Sequence, residues 1–353
     1  MNDSLEIAGR RIAADAPPYI IAELSGNHNG EIERAYAIME AAKAAGADAV
    51  KLQTYTADTI TIDHNGPGFA IEGGLWDGRT LHELYQEAHT PWDWHADLFA
   101  KGRELDITIF SSPFDPTAVD FLENLDAPAY KVASFEIVDL PLVERIAATG
   151  KPLIISTGMA NRSEIGEAIA AARSAGGGDI VLLHCVSSYP APAVDCNLLT
   201  IPDLAERFSV VSGLSDHTLG PAVPIAAVAL GAAVIEKHVT LDRAAGGPDA
   251  AFSLEAHELK DMIHGVRTAW EARGKAGYDR QASERGNVIF RRSLYVVRDV
   301  AAGERFTAEN VRSIRPGFGL APKHLPQVLG RCAARDLKRG DPLEAAMVDG
   351  LTL

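Results

Sequence analysis

Length, composition and charge limit the kind of protein that this chain can form. With 353 residues, 47% of them hydrophobic, the chain is long enough for one large domain and one small domain and can bury a large core. Its 33 basic and 48 acidic residues give a formal net charge of −15. That charge disfavours nucleic acid and anionic membrane surfaces as partners, because both attract clustered Lys and Arg. An anionic substrate therefore needs a local cationic pocket.

The N-terminal segment and the cysteines favour the cytoplasm. The first 20 residues lack the basic start, apolar middle and cleavage site of a secretory signal. The longest apolar run, 221–235, is shorter than a membrane helix and contains proline and glycine, so we interpret it as a helix followed by a buried strand. Cys185, Cys196 and Cys332 are irregularly spaced and predict neither a disulfide framework nor a metal clip.

From residue 18 to about residue 272, short β-rich apolar runs alternate with longer amphipathic segments. This pattern is typical of parallel strands joined by helices. Eight strands are predicted, and that number closes a barrel more naturally than it extends an open sheet. The predicted strands are PYIIAEL (18–24), DAVKLQ (48–53), ITIFSS (107–112), AYKVAS (129–134), PLIIST (152–157), IVLLHC (180–185), VVSGLSD (210–216) and AVIEKHV (233–239).

The remaining segments predict an insertion, a linker and a second module. The second connection, 54–105, is long and rich in Gly and Trp, and an insertion of that size above the barrel should shape the substrate pocket. The sequence turns polar and Gly-bearing beyond residue 270, which indicates a linker. We predict a (β/α)₈ TIM barrel over 1–273, a linker over 274–287 and a small β-rich domain over 288–353, too small to bury much core alone.

Polar residues end nearly every predicted strand. The active site of a (β/α)₈ barrel lies at the carboxyl ends of its strands, so these residues are the candidates for chemistry. A single one could equally be a cap or part of a rim salt bridge, but so many convergent strand ends argue against a wholly structural interpretation. They are Glu23, Lys51, Gln53, Ser112, Lys131, Ser134, Glu136, Ser156, Thr157, Ser187, Ser215, His217, Glu236 and His238.

Lys51 and Lys131 lie inside strand-like apolar runs. An ammonium group that points into the barrel is costly without an anion beside it. Serine hydroxyls are expected around the carboxyl end of the barrel, its mouth. Together with these hydroxyls, the two lysines suit a ligand that carries both phosphate and carboxylate. The alternative is that each lysine pairs with Glu23 or Glu136.

His217 and His238 end successive predicted strands, so their imidazoles could meet above the barrel. Two imidazoles with open positions beside them suit a divalent metal such as Mn²⁺. A hydrogen-bonded core histidine is the alternative for each, and spacing alone leaves both interpretations open. His28 follows the first strand and could also face the mouth.

Eight motifs follow one another along the chain: AELSGNHNG, GADAVKLQTY, FSSPFD, AYKVASFE, ISTGM, LLHCVSSYP, GLSDHT and EKHVTLD. In order and spacing they resemble the sialic acid synthase family. The C-terminal module is similar to the antifreeze-protein-like (SAF) domain of those enzymes, so the resemblance covers almost the whole chain. Within the family, EGGLWDGRTLHELYQEAHTPWDWH, RRSLY and SIRPGFGL are more similar to pseudaminic acid synthases than to N-acetylneuraminate synthases.

The resemblance implies a metal-dependent condensation. Phosphoenolpyruvate adds through C3 to the aldehyde carbon of an open-chain sugar, water attacks C2, and phosphate leaves by C–O cleavage. For the pseudaminic branch the sugar is 2,4-diacetamido-2,4,6-trideoxy-L-altrose, and the alternatives within the same class are N-acetylneuraminate and legionaminic acid synthase. The implied cofactor is a divalent metal, Mn²⁺, with Mg²⁺ or Co²⁺ as alternatives.

The resemblance also implies roles for residues of this chain. The small domain should place Arg315 in the neighbouring subunit's active site in a domain-swapped homodimer. Ser187 departs from the asparagine common in neuraminate synthases, so the substrate is not transferred from those enzymes. The phosphoenolpyruvate contacts are Lys51, Ser112, Lys131, Ser134, Ser156, Ser187 and Ser215; the metal ligands are His217 and His238, which count with Glu136 and Glu23 as catalytic; the sugar contacts are Gln53, Tyr189, Asp249 and Arg315.

Other function classes find less support in the sequence. It has no GxSxG elbow, Walker loop, HExxH helix or GxGxxG after a strand, so hydrolases, nucleotidases and dinucleotide-dependent oxidoreductases lack their usual parts. A non-catalytic sugar-binding or ice-binding protein would not need the lysines and paired histidines. An aldolase that uses a Schiff-base lysine is the third class, and borohydride trapping with pyruvate separates it from a synthase, which forms no imine.

Overall fold

The structure is a computed structural model that describes residues 4–353. Contacts between residues divide the chain into two compact units, the first ending at Gly274 and the second running from Lys275 to Leu353. The division falls inside the linker predicted at 274–287. In the described part of the chain, no helix combines the length and the apolar character needed to cross a membrane.

The first unit is built on the predicted closed barrel of parallel strands, preceded by an antiparallel hairpin that the sequence did not predict. Within the described residues, eight strands follow one another around the barrel in chain order, and the last pairs with the first. The strands of this unit are β1 Ser4–Ile7, β2 Arg10–Ala13, β3 Tyr19–Glu23, β4 Ala49–Thr54, β5 Thr108–Pro113, β6 Tyr130–Val132, β7 Leu153–Ser156, β8 Ile180–Cys185, β9 Val211–Asp216 and β10 Val234–His238.

Helices connect the barrel strands, and local capping explains where several begin. Asp115 accepts hydrogen bonds from two backbone N–H groups at the start of one helix, with Pro116 in the first turn, and Asn161 forms a capping box with Glu164 at the start of another. The helices of the first unit are α1 Ile32–Ala45, α2 Ala57–Ile60, α3 Leu81–Ala88, α4 His95–Glu104, α5 Pro116–Asn124, α6 Leu140–Ala147, α7 Arg162–Ser174, α8 Thr200–Phe208, α9 Ala222–Ala229 and α10 Ala256–Arg273.

Each barrel strand falls within a predicted strand or within one residue of it, and β6 differs most. The prediction covered 129–134, whereas β6 ends at Val132 because the chain turns into a 3₁₀ helix, Ser134–Val138. In the predicted insertion, α2 and α3 precede α4, which is the regular helix that returns to β5.

Two apolar layers enclose the barrel wall. The outer layer lies between strands and helices and includes Val50, Tyr130 and Leu182. The inner layer fills the amino-terminal end of the barrel, where Leu5 and Ile12 of the hairpin pack in one cluster with strand residues. This end of the barrel is therefore closed by apolar contacts.

Inward-facing positions change from apolar to polar along the strands. Side chains two residues apart on a strand share a face, so the apolar inner cluster predicts which later residues also face inward. At four strands, such a pair consists of an apolar residue followed two positions later by a polar one, and all eight residues are buried. Because the polar member lies nearer the carboxyl end, the chemistry is confined to that end of the barrel. The pairs are Ala49 and Lys51, Ala129 and Lys131, Ile154 and Ser156, and Val234 and Glu236.

The second unit has a small core of its own. It contains an antiparallel pair of strands, β11 Ser293–Val296 and β12 Val311–Ile314, and one short helix, α11 Leu325–Val328. Leu294 and Phe306 are among its fully buried core residues. The strands agree with the predicted β-rich module, whereas part of the predicted linker forms a 3₁₀ helix over 282–290.

Gly213 on β9 supplies a test of how closely the barrel packs. A Cβ atom there would lie 2.3 Å from the Val234 carbonyl oxygen and 2.8 Å from Leu183 Cδ2. Because both neighbours belong to the barrel wall, we expect Gly213→Ala to lower the free energy of unfolding by about 1–3 kcal/mol. Urea unfolding followed by circular dichroism measures this change.

The matched control is Gly166→Ala in α7, where the added carbon would meet only Phe208 at 3.9 Å. This variant should be more stable by about 0.5–1 kcal/mol, because alanine is the better helix former. An unchanged unfolding midpoint for Gly213→Ala would contradict the packing described for the barrel.

Candidate active site

Lys51 lies at the centre of a buried ionic network at the carboxyl end of the barrel. Its Nζ is 3.1 Å from Glu23 Oε2 and 3.5 Å from Glu236 Oε1, and it donates a hydrogen bond of 3.2 Å to Ser112 Oγ. Strands β3, β4, β5 and β10 supply these four residues. The sequence left open whether Lys51 binds a ligand or pairs with a carboxylate such as Glu23. The structure shows the pairing with Glu23 and adds Glu236 as a second carboxylate partner.

Lys131 differs from Lys51 because it has no carboxylate partner. It is 1% exposed, and its Nζ donates to the Val132 carbonyl oxygen at 2.9 Å. Within residues 4–353, no ion pair of Lys131 shorter than 4 Å is formed, so it pairs with neither Glu23 nor Glu136. Burial lowers the pKa of Lys131 to about 8, although the charge of Glu236 opposes this shift. A bound anion would stabilise the ammonium form.

Serine hydroxyls surround the lysines. Ser215 Oγ donates to Glu236 Oε1 at 2.9 Å, and the buried Ser156 Oγ has no hydrogen-bond partner. Ser134 and Ser187 both lie against Gly158, because a Cβ on that glycine would be 2.7 Å and 2.2 Å from their respective Oγ atoms. The absence of a side chain at Gly158 leaves room for both hydroxyls.

Two carboxyl groups at the mouth have pKa values near neutrality. Burial raises the pKa of Glu23 to about 7, with Lys51 opposing the shift and Glu236 adding to it. Burial likewise raises the pKa of Glu136 to about 7 against the opposing charge of Lys131. Glu136 Oε2 is buried and has no hydrogen-bond partner. Groups of this kind can both accept and donate a proton near pH 7.

His217 and His238 lie side by side, as predicted from the strand order. Their ring centroids are 5.3 Å apart. His217 Nδ1 is 3.1 Å from the Val186 carbonyl oxygen. His238 Nδ1 has no hydrogen-bond partner and lies 3.7 Å from Asp249 Oδ2.

The two imidazoles differ in their preferred charge. Burial and the neighbouring His217 lower the pKa of His238 well below its usual range, which keeps the ring neutral. Burial opposes a charge on His217 too, but Cys185, at 3.7 Å from Nδ1, raises its pKa. A neutral imidazole is the form that binds a metal.

The residues predicted to contact the sugar lie beside the histidines. Gln53 Nε2 donates to Glu23 Oε1 at 2.9 Å and to Ser25 Oγ at 3.2 Å, and Ser25 in turn donates to Asp249 Oδ2. Tyr189 packs on His217 with a centroid distance of 4.6 Å. The mouth therefore has one side of lysines and serines and another of amide, carboxylate and aromatic groups.

Tyr189, a predicted sugar contact, forms an aromatic wall with Trp76 and Phe252, two residues that the sequence did not single out. Trp76 lies 5.5 Å from Tyr189 and donates from Nε1 to the Pro248 carbonyl oxygen at 2.9 Å. Phe252 lies 4.9 Å from His238 and 5.4 Å from Tyr189. The Trp-rich composition of the insertion was the signal for Trp76, whereas nothing in the local sequence distinguishes Phe252 from a core residue.

Two further predictions concern His28, which could face the mouth, and Arg315, which should reach a neighbouring subunit. His28 is fully buried and packs edge-on against Trp94, with ring centroids 5.4 Å apart, and burial lowers its pKa to about 4. Arg315 follows β12 in the second unit and is exposed there. Its role toward a neighbouring subunit stays a prediction.

Known proteins resemble the chain over nearly its whole length. It is 45% identical over 331 residues to the pseudaminic acid synthase of Helicobacter pylori, which covers 93% of this chain and 97% of that protein. It is 36% identical over 332 residues to the N,N'-diacetyllegionaminic acid synthase of Legionella pneumophila, with 92% and 93% covered. The crystal structure of the N-acetylneuraminic acid synthetase of Leptospira borgpetersenii, in complex with citrate, matches with a TM-score of 0.72 at 30% identity and covers 81% of this chain and 95% of that one.

Family models give the same result for both parts of the chain. The model of the NeuB family matches residues 38–278, and the model of the SAF domain matches residues 291–349. The first match includes seven of the eight barrel strands, from β4 to β10, with their candidate residues. The chain therefore belongs to the NeuB family of sialic acid synthases and carries a C-terminal SAF domain.

Proposed function

We propose that this NeuB-family protein is a pseudaminic acid synthase, which condenses phosphoenolpyruvate with 2,4-diacetamido-2,4,6-trideoxy-L-altrose and releases phosphate. The observation that carries the proposal is the buried ammonium of Lys131, which has the Val132 carbonyl oxygen as its hydrogen-bond acceptor. A buried charge without a counter-ion is unfavourable. An anionic substrate would supply that counter-ion.

Phosphoenolpyruvate matches the donors at this side of the mouth. It carries a phosphate and a carboxylate, and charge-assisted hydrogen bonds from lysine and hydroxyl groups favour both. Ser156 Oγ, buried without a partner, and the hydroxyls of Ser134 and Ser187 beside Gly158 are donors for the same anion. Ser112 and Ser215 lie beside the Lys51 network and complete the proposed contacts.

The aromatic wall supports a 6-deoxy sugar as the second substrate. The partly exposed Trp76 and Tyr189, with the buried Phe252 packed behind Tyr189, offer apolar surface, which suits the C6 methyl and acetamido methyl groups of that sugar better than a hydroxyl-rich chain. On the same side of the mouth, Gln53 and Asp249, both bonded to Ser25, are the proposed polar partners of the sugar. The identity to a pseudaminic acid synthase, 45%, exceeds the 36% identity to a legionaminic acid synthase.

We propose His217 and His238 as the ligands of a divalent metal, Mn²⁺, with Mg²⁺ or Co²⁺ as alternatives. The residues fit such an ion, because the buried Nδ1 of His238 lacks a partner and a carbonyl oxygen beside Nδ1 of His217 leaves Nε2 for a metal. Among the described residues, no group of three His, Cys, Asp or Glu forms a complete site. When bound, the ion would polarise the aldehyde oxygen.

In the proposed chemistry, the C2=C3 π electrons of phosphoenolpyruvate form a bond from C3 to the sugar aldehyde carbon, whose C=O π bond becomes a hydroxyl group. A water oxygen bonds to C2, and the C2–O bond to phosphate then breaks, which leaves a ketone at C2. In sum, one proton of the water ends on the former aldehyde oxygen and the other on the released phosphate. We assign the transfer of a proton from that water to Glu136, and its pKa near 7 and unpartnered oxygen support this role. Lys51 and Lys131 hold the enol ester in position, and Glu23 holds Lys51 and Gln53.

The same proposal covers the assembly and location of the protein. The barrel (1–273), linker (274–287) and SAF domain (288–353) would form a domain-swapped homodimer in the cytoplasm. Arg315 of one subunit would reach the sugar in the other subunit's site and provide a guanidinium donor.

Phosphate release with a panel of sugars tests the proposed function. The protein is incubated with phosphoenolpyruvate and either the L-altro diacetamido sugar, the corresponding legionaminic precursor or N-acetylmannosamine, and the product mass is determined. Rapid release with the first sugar supports the proposal. Preference for another sugar would move the protein to another branch of the family, and binding without turnover would support a sugar-binding protein. Inactivation by pyruvate and borohydride would support a Schiff-base aldolase.

Lys131→Met should raise the KM for phosphoenolpyruvate by about 10–100-fold, because it removes a hydrogen bond to a charged group worth about 1.5–3 kcal/mol. The KM for the sugar should change little. Lys260→Met, at an exposed position on α10, is the matched control and should leave both values unchanged. A larger effect on the sugar would place Lys131 at the sugar side.

Trp76→Ala should lower kcat/KM for the L-altro diacetamido sugar about tenfold, the loss expected when apolar contacts to a methyl group are removed. Trp76→Phe should retain most of the activity. The effect on N-acetylmannosamine should be smaller, since that sugar carries a hydroxyl at C6. Equal losses for both sugars would show that Trp76 does not recognise the methyl group.

Removal of divalent metal with EDTA should abolish turnover, and Mn²⁺ should restore it. His238→Ala should lose Mn²⁺ binding, measured by electron paramagnetic resonance, whereas His257→Ala at an exposed position serves as the control and should retain it. Full activity of a metal-free preparation, verified by elemental analysis, would refute the metal proposal.

A further inference from the structure

Behind the two histidines lies a second buried ion pair, Lys237 with Asp216. These residues sit opposite each other on neighbouring strands β10 and β9. The Lys237 side chain is 0% exposed and the Asp216 side chain 2%, and their Nζ and Oδ2 atoms are 2.6 Å apart. None of the roles assigned above to substrate or metal contacts involves this pair.

The alternation of side chains along a strand separates this pair from the site. Ser215 and Glu236 face inward, where they bond to each other. Because successive residues point to opposite faces, Asp216 and Lys237 face the helices outside the barrel. His217 directly follows the end of β9 and His238 is the last residue of β10, so the ion pair joins the two peptide segments that carry the histidines.

The contacts of Lys237 and Asp216 enclose the turn around His217. Asp216 Oδ1 accepts from the Thr218 backbone N–H at 3.1 Å, and Oδ2 lies 3.0 Å from the Thr218 hydroxyl oxygen, which donates to it. Lys237 Nζ also donates to the Thr218 carbonyl oxygen. Lys237, which directly precedes His238, is thus bonded to both Asp216 and Thr218, the residues before and after His217.

We propose that Lys237 is a positioning residue, which through Asp216 and Thr218 holds the His217 turn against the strand end that carries His238 and so sets the separation of the two imidazoles. The inference rests on the proposed function in assigning these imidazoles to a metal. The effect of Lys237 on the separation of the imidazoles is expected in the metal-free protein as well. When a residue that supports a metal ligand through hydrogen bonds is replaced, the metal affinity commonly falls by about 10–100-fold.

Three full-length variants separate positioning from fold stability. Lys237→Met leaves Asp216 buried and unpaired. The double variant Lys237→Met/Asp216→Asn removes both charges and keeps an oxygen for the Thr218 N–H, so it should recover much of the lost thermal stability. Ile38→Ala, at a fully buried position on α1, is the control for a destabilised barrel with an intact Lys237.

Two readouts are used on each protein. Calorimetric titration with Mn²⁺ alone should give a Kd at least tenfold higher for Lys237→Met and for the double variant, but not for Ile38→Ala. Histidine-selective ¹⁵N spectra of the metal-free proteins, assigned with His217→Gln and His238→Gln, should show shifts of these two resonances in the same two variants. Binding of phosphoenolpyruvate should remain close to wild type, because its proposed contacts lie on the inner face.

Unchanged His217 and His238 resonances in the double variant would overturn the inference, as would equal changes in Ile38→Ala. A wild-type protein that binds no Mn²⁺ would instead contradict the metal in the proposed function. In that case the ¹⁵N spectra alone decide whether Lys237 positions the imidazoles.

Discussion

Two lysine side chains buried inside the barrel are the constraint on which the rest of the mouth depends. An ammonium group removed from water needs an opposite charge or a set of hydrogen-bond acceptors. Lys51 has Glu23 and Glu236, whereas the hydrogen bond of Lys131 goes to a main-chain carbonyl oxygen. Carboxylates therefore balance one lysine within 4 Å and not the other, and the proposed binding of an anion rests on this difference.

The barrel makes this arrangement possible by separating apolar from polar layers. The hairpin residues Leu5 and Ile12 close the amino-terminal end with apolar contacts, and burial of this apolar surface stabilises the barrel away from its polar end. The polar groups can then remain partly unpartnered, as Ser156 Oγ and Glu136 Oε2 are. The same alternation places the Lys237–Asp216 pair outside the wall, where it contacts no proposed substrate position.

The sequence predicted the barrel and much of its mouth, and the parts it missed depend on long-range packing. Strands such as 180–185 were predictable because their apolar runs are continuous, and Lys51 or His238 were found because they interrupt such runs. The partner of Lys51 was only partly predictable, since Glu236 meets it through the closure of β10 onto β3. The hairpin before β3 was too short to show a period, and Phe252 looks like any core aromatic until it packs on His238.

In the proposed reaction, this mouth holds phosphoenolpyruvate while the bond between its C2 and the phosphate oxygen breaks. Phosphoenolpyruvate labelled with ¹⁸O in the oxygen that bridges C2 and phosphorus measures this directly. With the L-altro diacetamido sugar present, the account predicts that the released phosphate carries the label and that the nonulosonic acid product does not. Label retained in the organic product, or no phosphate released at all, would contradict the account.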